Sequence, residues 1–174
     1  MILFLFGKAA AGKNHVAEMI SAEYGLHFYD CDLDMTPEFR RRVVNNLPVT
    51  KAVLSEFIDV VEERLSYHHE EHGNIVAAQY LPRDWERIRL KDAFGDDIEY
   101  VLIEADTAVR RERVRARHES SGGRHPISPD NLAKIDSRFQ KPTLPYQTIT
   151  NNGNSVVLEA RIREVISLYQ TAFR

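Results

Sequence analysis

The stretch Gly7-Lys8-Ala9-Ala10-Ala11-Gly12-Lys13-Asn14 decides the fold of this chain. It follows the apolar run 2–6, which predicts a buried parallel strand, and it precedes a segment with apolar residues at helical spacing. A glycine-rich turn between a strand and a helix presents backbone N–H groups and a helix N-terminus to an anion. The alternative is a tight turn that carries a lysine by chance. The pattern G-x-x-x-x-G-K favours a phosphate-binding loop, with Lys13 at the β- and γ-phosphates of a nucleotide.

The last position of this loop departs from the usual pattern. Asn14 stands where Ser or Thr normally ligates Mg²⁺. An amide oxygen can also ligate a hard cation, so we predict Asn14 as a ligand of Mg²⁺. The residues that we expect to bind the nucleotide phosphates are Gly7, Lys8, Ala9, Ala10, Ala11, Gly12, Lys13, Asn14 and His15.

The composition excludes several classes of protein. The chain has 174 residues, about one domain, of which 43% are hydrophobic and 28% charged. The net charge of -3 gives no support for a nucleic-acid partner, and a single cysteine, Cys31, excludes a disulfide framework. The first apolar run lacks a preceding basic region and is too short to cross a bilayer. We therefore expect a cytoplasmic protein with neither a membrane nor a nucleic-acid partner.

Predicted strands and helices alternate along the chain. Apolar runs predict strands at 2–6, 27–30, 74–79, 98–104 and 147–150. Helical spacing predicts helices at 12–24, 37–45, 50–72, 83–93, 107–118, 128–138 and 155–172. This alternation is typical of a parallel sheet with helices on both faces, an α/β fold. Asp30 and Asp32 follow the second strand, at the carboxyl edge where such sheets bind ligands.

Several segments, taken in chain order, resemble the small P-loop kinases of the gluconate kinase and shikimate kinase group. Asp30-Cys31-Asp32 resembles their D-x-D element, and Ile75 to Arg83 resembles their third strand and its exit. Arg113 to Arg117, then Arg124-His125-Pro126, resemble their lid helix and lid, and Asp136-Ser137-Arg138-Phe139 resembles D-S-Q-F. The resemblance covers nearly the whole chain. It implies one P-loop kinase domain, 1–174, with a three-layer α/β/α P-loop NTPase fold, a five-stranded parallel sheet, a short lid near 118–127 and an acceptor-binding helical region near 33–72.

The resemblance also implies roles for individual residues. In the family pattern the first aspartate, Asp30, helps to hold Mg²⁺ through water, and the second, Asp32, binds the acceptor hydroxyl and accepts its proton. Asn14, where this chain departs from the family, is predicted to hold the metal beside Asp30. The catalytic residues are then Lys13, Asp32 and Arg117. Beyond the loop, the nucleotide is bound by Arg113, Arg117 and Asn152; a simple turn explains Asn152 equally well.

Beside Asp32, the acceptor-binding residues are Arg40, Arg83 and Arg124. A surface face of a short helix explains Arg40 equally well, and Arg124 together with Arg117 is also expected to close over the phosphates.

Two other charged groups are interpreted more simply. Arg110, Arg111 and Arg115 are predicted to form a solvent-exposed helix face, since charge runs usually do. His68 and His72 are four residues apart, a spacing that can chelate zinc on a helix. The H-E-x-x-H arrangement is absent, however, so a solvent-exposed helix end is the better interpretation.

The predicted function is ATP-dependent, Mg²⁺-dependent transfer of the γ-phosphoryl group to a hydroxyl of a sugar acid or polyol-like metabolite, by a monomer or homodimer. Met35, Gln79 and Arg138 depart from the gluconate kinase pattern at positions near the acceptor, which leaves the acceptor open. One alternative is a nucleoside or nucleotide kinase with a base against 37–65. The other is a non-catalytic ATP-binding module, which Asn14 and Met35 favour.

Overall fold

The computed structural model describes residues 1–123 and 125–169, and within these ranges five strands form one parallel sheet. The strands are β1 (Ile2–Phe6), β2 (His27–Asp30), β3 (Ile75–Ala78), β4 (Ile98–Glu104) and β5 (Gln147–Thr150). Their order across the sheet is β2-β3-β1-β4-β5. The predicted five-stranded parallel sheet is therefore confirmed, and β3 is one residue shorter at each end than predicted.

The helices follow the predicted segments with small changes at their ends. They are α1 (Lys13–Tyr24), α2 (Pro37–Val44), α3 (Lys51–His72), α4 (Asp84–Phe94), α5 (Thr107–Ser120), α6 (Leu132–Asp136) and α7 (Ser155–Ser167). Two short 3₁₀ turns, Cys31–Asp34 and Gly95–Asp97, were not predicted.

Two predicted helices have wrong boundaries, and a third predicted helix extends beyond the described residues. The helix predicted at 107–118 continues to Ser120. The helix predicted at 128–138 is only Leu132–Asp136, because the side chains of Ser128 and Asn131 bond each other's backbone N–H and hold the preceding residues in a turn. Of the helix predicted at 155–172, residues 170–172 fall beyond the described part of the chain.

Alternating residues of β1 build a core on each face of the sheet. Ile2, Phe4 and Phe6 pack with apolar residues of α3 and α4, whereas Leu3 and Leu5 pack with α1 and α7. All five residues are fully buried, as expected for a central parallel strand. Helices thus cover both faces, and the predicted three-layer α/β/α fold is confirmed.

This topology brings the loops that follow the strands to one edge. All five strands are parallel, so their carboxyl ends lie at the same edge of the sheet. The loop after β1, the 3₁₀ turn after β2 and the segment after β3 are therefore neighbours. No helix in the described ranges is both long enough and apolar enough to cross a membrane.

Candidate active site

The loop after β1 has backbone angles that its glycines make accessible. Gly7 has a φ of 147° and Gly12 a φ of 94°, both in the region that residues with a side chain rarely adopt. A Cβ on Gly7 would lie 2.3 Å from the carbonyl oxygen of Ile103, and one on Gly12 would lie 2.3 Å from Nδ2 of Asn151. Both positions therefore require glycine for space as well as for conformation.

Side chains from α5 and from the end of β5 bind the carbonyl oxygens of this loop. Nη1 of Arg113 donates to the carbonyls of Ala10 and Ala11, at 3.3 and 3.1 Å. Its Nη2 donates to the buried Asn151, whose amide in turn donates to the carbonyl of Ala11 at 3.2 Å. These bonds satisfy the carbonyls, which leaves the N–H groups of the loop to bind phosphate oxygens.

Arg110 belongs to the same arrangement, and its predicted place on a solvent-exposed face was wrong. Its side chain is buried and donates to the carbonyl of Ala9 at 3.2 Å and to both carboxylate oxygens of Asp136, at 2.9 and 2.6 Å. The bidentate pair with Asp136 fixes the orientation of the guanidinium that binds the loop. Arg115 does lie at the surface, where it pairs with Glu112.

Lys13 begins α1 and turns back onto the loop. Its Nζ donates to the carbonyls of Gly7 and Lys8, both at 3.2 Å, and lies 6.0 Å from the centre of the Tyr80 ring. Burial lowers the pKa of this ammonium from 10.5 to about 8; the positive charge of Arg117 also lowers it, while Asp32 raises it. Because this ammonium has lost part of its hydration, a bound anion such as a phosphate stabilises it more than it would stabilise an exposed lysine.

The two predicted aspartates lie together at the end of β2. Oδ2 of Asp30 accepts a 2.7 Å hydrogen bond from the Asn14 amide, and Oδ1 accepts one of 3.0 Å from the backbone N–H of Asp32. Burial raises the pKa of Asp30, although the hydrogen bond from Asp32 partly opposes this. Asp32 accepts a 2.9 Å bond from Nε2 of Gln79 and is otherwise exposed.

The donor set around Asp30 suits a hard divalent cation. One carboxylate and the amide oxygen of Asn14 are the oxygen ligands that Mg²⁺ prefers, and they lie beside the phosphate loop. The residues present therefore fit a nucleotide with its Mg²⁺.

A cavity of about 310 Å³ adjoins this group. Its walls come from α2, α3, the segment after β3 and residues around α6. Twelve of the residues that line it are apolar: aliphatic residues, phenylalanines or prolines. The lining residues are Phe39, Arg42, Val43, Asn46, Leu47, Val49, Leu54, Phe57, Ile58, Gln79, Tyr80, Leu81, Pro82, Arg83, Glu86, Pro126, Ile127, Asn131, Lys134, Ile135 and Arg138. Gln79 both lines the cavity and binds Asp32, so the two sites are continuous.

The predicted acceptor-binding arginines lie in different places. Arg83 lines the cavity and pairs at 3.3 Å with Glu86, a buried carboxyl whose pKa is raised by burial. Arg40 donates instead to the carbonyls of Asp32 and Leu33, both at 3.4 Å, and Arg42 faces the cavity from the same helix. Arg124 lies outside the described residues.

The remaining predicted nucleotide-binding residues lie around the loop. His15 and Arg117 are exposed, and Nζ of Lys8 lies 5.9 Å from the centre of the Phe139 ring. Asn152 is exposed and accepts a hydrogen bond from the backbone N–H of Asp106. Its neighbour Asn151, which was not among the predicted nucleotide-binding residues, is the asparagine that contacts the loop.

Comparison with known proteins supports the fold. No protein-family model matches the sequence, and no curated protein matches it significantly. A gluconokinase from Sinorhizobium meliloti 1021 has a similar structure, with a TM-score of 0.74 at 19% identity over 97% of this chain and 95% of that one. A sugar kinase from Janibacter sp. HTCC2649 also has a similar structure, with a TM-score of 0.74 at 15% identity over 95% of this chain and 92% of that one. The APS kinase of Mycobacterium tuberculosis, solved with AMPPNP and APS, has a TM-score of 0.68 at 18% identity over 97% and 96%. The chain thus has the fold of small P-loop kinases.

Proposed function

We propose that this protein is an ATP-dependent kinase that phosphorylates a hydroxyl of a small acceptor bound in the cavity. The observation that carries the proposal is the path from Lys13 through Asp32 to Gln79, which joins the phosphate loop to the cavity. The Asp32 carboxylate raises the pKa of the Lys13 ammonium, which lies 6.0 Å from the centre of the cavity-lining Tyr80 ring. Gln79 binds Asp32 while lining the same cavity. A phosphate donor and a hydroxyl acceptor placed on the two sides of Asp32 would meet there.

The chemistry then follows from positioning and charge. The N–H groups of the loop and Lys13 bind the β- and γ-phosphates and stabilise the charge that develops on them. Asp32 accepts the proton of the acceptor hydroxyl as its oxygen bonds to the γ-phosphorus. The bond from that phosphorus to the bridging oxygen breaks, and ADP leaves. Mg²⁺, held by Asp30 and Asn14, would supply further neutralisation of the phosphate oxygens.

The basic residues of the cavity favour an acceptor that carries an anionic group. Arg42, Arg83, Lys134 and Arg138 all line the cavity, and guanidinium groups match carboxylate and phosphate geometry. Two of these four already pair with a glutamate, Arg42 with Glu38 and Arg83 with Glu86. A sugar acid has both the hydroxyl and the negative charge, whereas a neutral polyol-like metabolite has only the hydroxyl. This remains our first proposal for the acceptor class.

The walls of the same cavity favour a second acceptor class. Phe39 and Phe57 line it and stack on each other, with ring centres 4.6 Å apart. Aliphatic residues complete the wall, and such a surface suits the flat face of a base better than a fully hydroxylated sugar. A nucleoside or nucleotide would also present a hydroxyl or phosphate to Asp32.

An acceptor screen with ATP and Mg²⁺ tests both proposals. ADP release is measured with sugar acids, polyols, nucleosides and nucleoside monophosphates, using wild type, Asp32→Asn and the matched control Asp34→Asn. Asp34 follows the same strand but binds Tyr29 and Arg64 instead. We expect turnover with one class, a loss of at least about 100-fold in Asp32→Asn and near-normal rates in the control.

Tight binding of ATP without turnover of any acceptor would contradict the proposal. That result would favour the non-catalytic ATP-binding module. If Asp32→Asn reacts as fast as the control, only the role assigned to Asp32 is contradicted, and the proposed kinase activity stands.

A further inference from the structure

Three histidines lie together at the amino-terminal end of β2, whereas the phosphate loop lies at the carboxyl ends of the strands. His27 is the first residue of β2, and His68 and His72 lie one turn apart at the end of α3. Each offers a ring nitrogen, and these three atoms lie within 4.8 Å of one another. Because β2 rises about 3.3 Å per residue, His27 lies about 10 Å along the strand from Asp30. The three histidines are therefore distinct from the residues of the proposed active site.

At this helix end His72 is exposed, as predicted, and His68 is half-buried, but their rings also form a packed group with His27. The rings of His27 and His72 stack with centres 3.8 Å apart, and His68 lies 4.8 Å from His27 and 4.7 Å from Tyr29. Among the residues that the structure describes, Nδ1 of His68 is buried without a hydrogen-bond partner. A buried ring nitrogen of this kind is costly unless something binds it.

We propose that His27, His68 and His72 bind one divalent transition-metal ion, with Zn²⁺ the best match. Neutral imidazoles are preferred ligands of Zn²⁺, and a pair four residues apart on a helix is a frequent arrangement. Tetrahedral Zn–N bonds of about 2.0–2.1 Å place ligand nitrogens about 3.4 Å apart. The stacked rings must therefore rotate and close by about an ångström or more. Since His72 is exposed, water can take the fourth position.

Such an ion would join two elements that build the proposed active site. The cluster links the start of β2 to the end of α3. The other end of β2 is Asp30, and the first half of α3 supplies Leu54, Phe57 and Ile58 to the acceptor cavity. An ion bound only by the folded arrangement of these elements raises the stability of the native state. The metal would thus act on structure, since its ligands lie away from the phosphates.

The test uses the full chain without a histidine tag and measures Zn²⁺ binding by competition with a chromogenic chelator. We expect one Zn²⁺ per chain, a rise in Tm on adding Zn²⁺, and a loss of affinity of at least about 100-fold in His72→Gln and His68→Gln. The matched control is His69→Gln, which lies on the same turn but bonds the carbonyl of Gly73. The control should keep both the affinity and the rise in Tm.

Absence of stoichiometric binding to the wild type would overturn the proposal, as would equal weakening in His69→Gln. A second measurement, made on the wild type alone, covers the case in which the variants fail to fold. Co²⁺ should give the intense absorption of a tetrahedral site; the weak spectrum of an octahedral ion would overturn the proposal. Neither result depends on the proposed kinase activity.

Discussion

The side-chain amide of Asn14 donates a 2.7 Å hydrogen bond to Oδ2 of Asp30. The residue that replaces the usual hydroxyl of the phosphate loop is therefore joined to Asp30, the last residue of β2. This bond orients the Asp30 carboxylate and leaves the Asn14 amide oxygen available to another ligand. Asn14 thus has a structural partner as well as the predicted role toward Mg²⁺.

Replacement of Asn14 separates these two contributions. In Asn14→Ala both the amide oxygen and the bond to Asp30 are lost, so we expect the Mg²⁺ concentration for half-maximal activity to rise by about 10-fold or more. Asn14→Ser restores a hard oxygen and should lie closer to wild type. The measurement is a Mg²⁺ titration of ADP release at saturating ATP. An unchanged Mg²⁺ dependence in Asn14→Ala would show that this residue does not serve the metal.

The lowered pKa of Lys13 predicts how nucleotide binding depends on pH. In the free protein this pKa is about 8, down from 10.5, because the ammonium is buried. A bound phosphate favours the charged form and so raises the pKa, which means that binding takes up a proton above pH 8. ATP affinity should therefore be nearly constant below that pH and fall by up to about tenfold per unit above it.

Calorimetry in buffers of different ionisation enthalpy measures this proton uptake directly. Lys13→Arg is the informative control, because a guanidinium stays protonated throughout the range. It should bind ATP more weakly but without the fall above pH 8. A fall of the same size in Lys13→Arg would assign the pH dependence to another group.

The buried ion pair between Arg110 and Asp136 should contribute more to the free energy of unfolding than the exposed pair between Arg115 and Glu112. Its Nη2–Oδ2 distance is 2.6 Å, and the Arg110 side chain is only 3% exposed. Asp136→Ala leaves a buried guanidinium without its carboxylate, so the free energy of unfolding should fall by about 2–4 kcal/mol. Glu112→Ala removes the exposed partner of Arg115 and should cost less than about 1 kcal/mol.

Urea unfolding of the two variants checks this contrast. Because Arg110 also binds the carbonyl of Ala9, Asp136→Ala should weaken ATP binding as well, whereas Glu112→Ala should not. Equal losses of stability in both variants would mean that the buried pair contributes no more than a surface pair.

The fold could be predicted from the sequence because its signals are local. An apolar run followed by Gly7 and Lys13 defines β1 and the loop, and the parallel-sheet rule placed Asp30 and Asp32 at the same edge. The bonds that shape the site are not local: Asn151 binds a residue 140 positions away and Gln79 one 47 positions away. Neither spacing nor composition encodes such pairs. For Arg110 a signal did exist, since it lies one turn before the buried Val114 and so shares its face.

Gln79 is the residue whose replacement best tests how Asp32 is positioned. Its Nε2 donates to Asp32 at 2.9 Å, and its Oε1 accepts from the backbone N–H of Tyr80 at 2.6 Å. In Gln79→Ala both bonds are lost, so Asp32 is free to rotate away from the acceptor hydroxyl. Loss of a hydrogen bond to a charged group costs about 1.5–3 kcal/mol, which corresponds to a fall in kcat of about 10- to 150-fold. The KM for ATP should change little, because the phosphate loop keeps its own bonds.

The variant Gln79→Glu distinguishes positioning from simple packing, since it nearly preserves the shape of the side chain. A second carboxyl beside Asp32 places two like charges side by side, and this repulsion favours a form in which the pair keeps one proton. The acidic limb of the pH–rate profile should therefore move to higher pH in Gln79→Glu. In Gln79→Ala, which loses only a hydrogen bond to the carboxylate, kcat should fall and the limb should move in the same direction by a smaller amount. If Gln79→Glu lowers kcat and leaves the profile in place, Gln79 supports the cavity wall and does not position the aspartate.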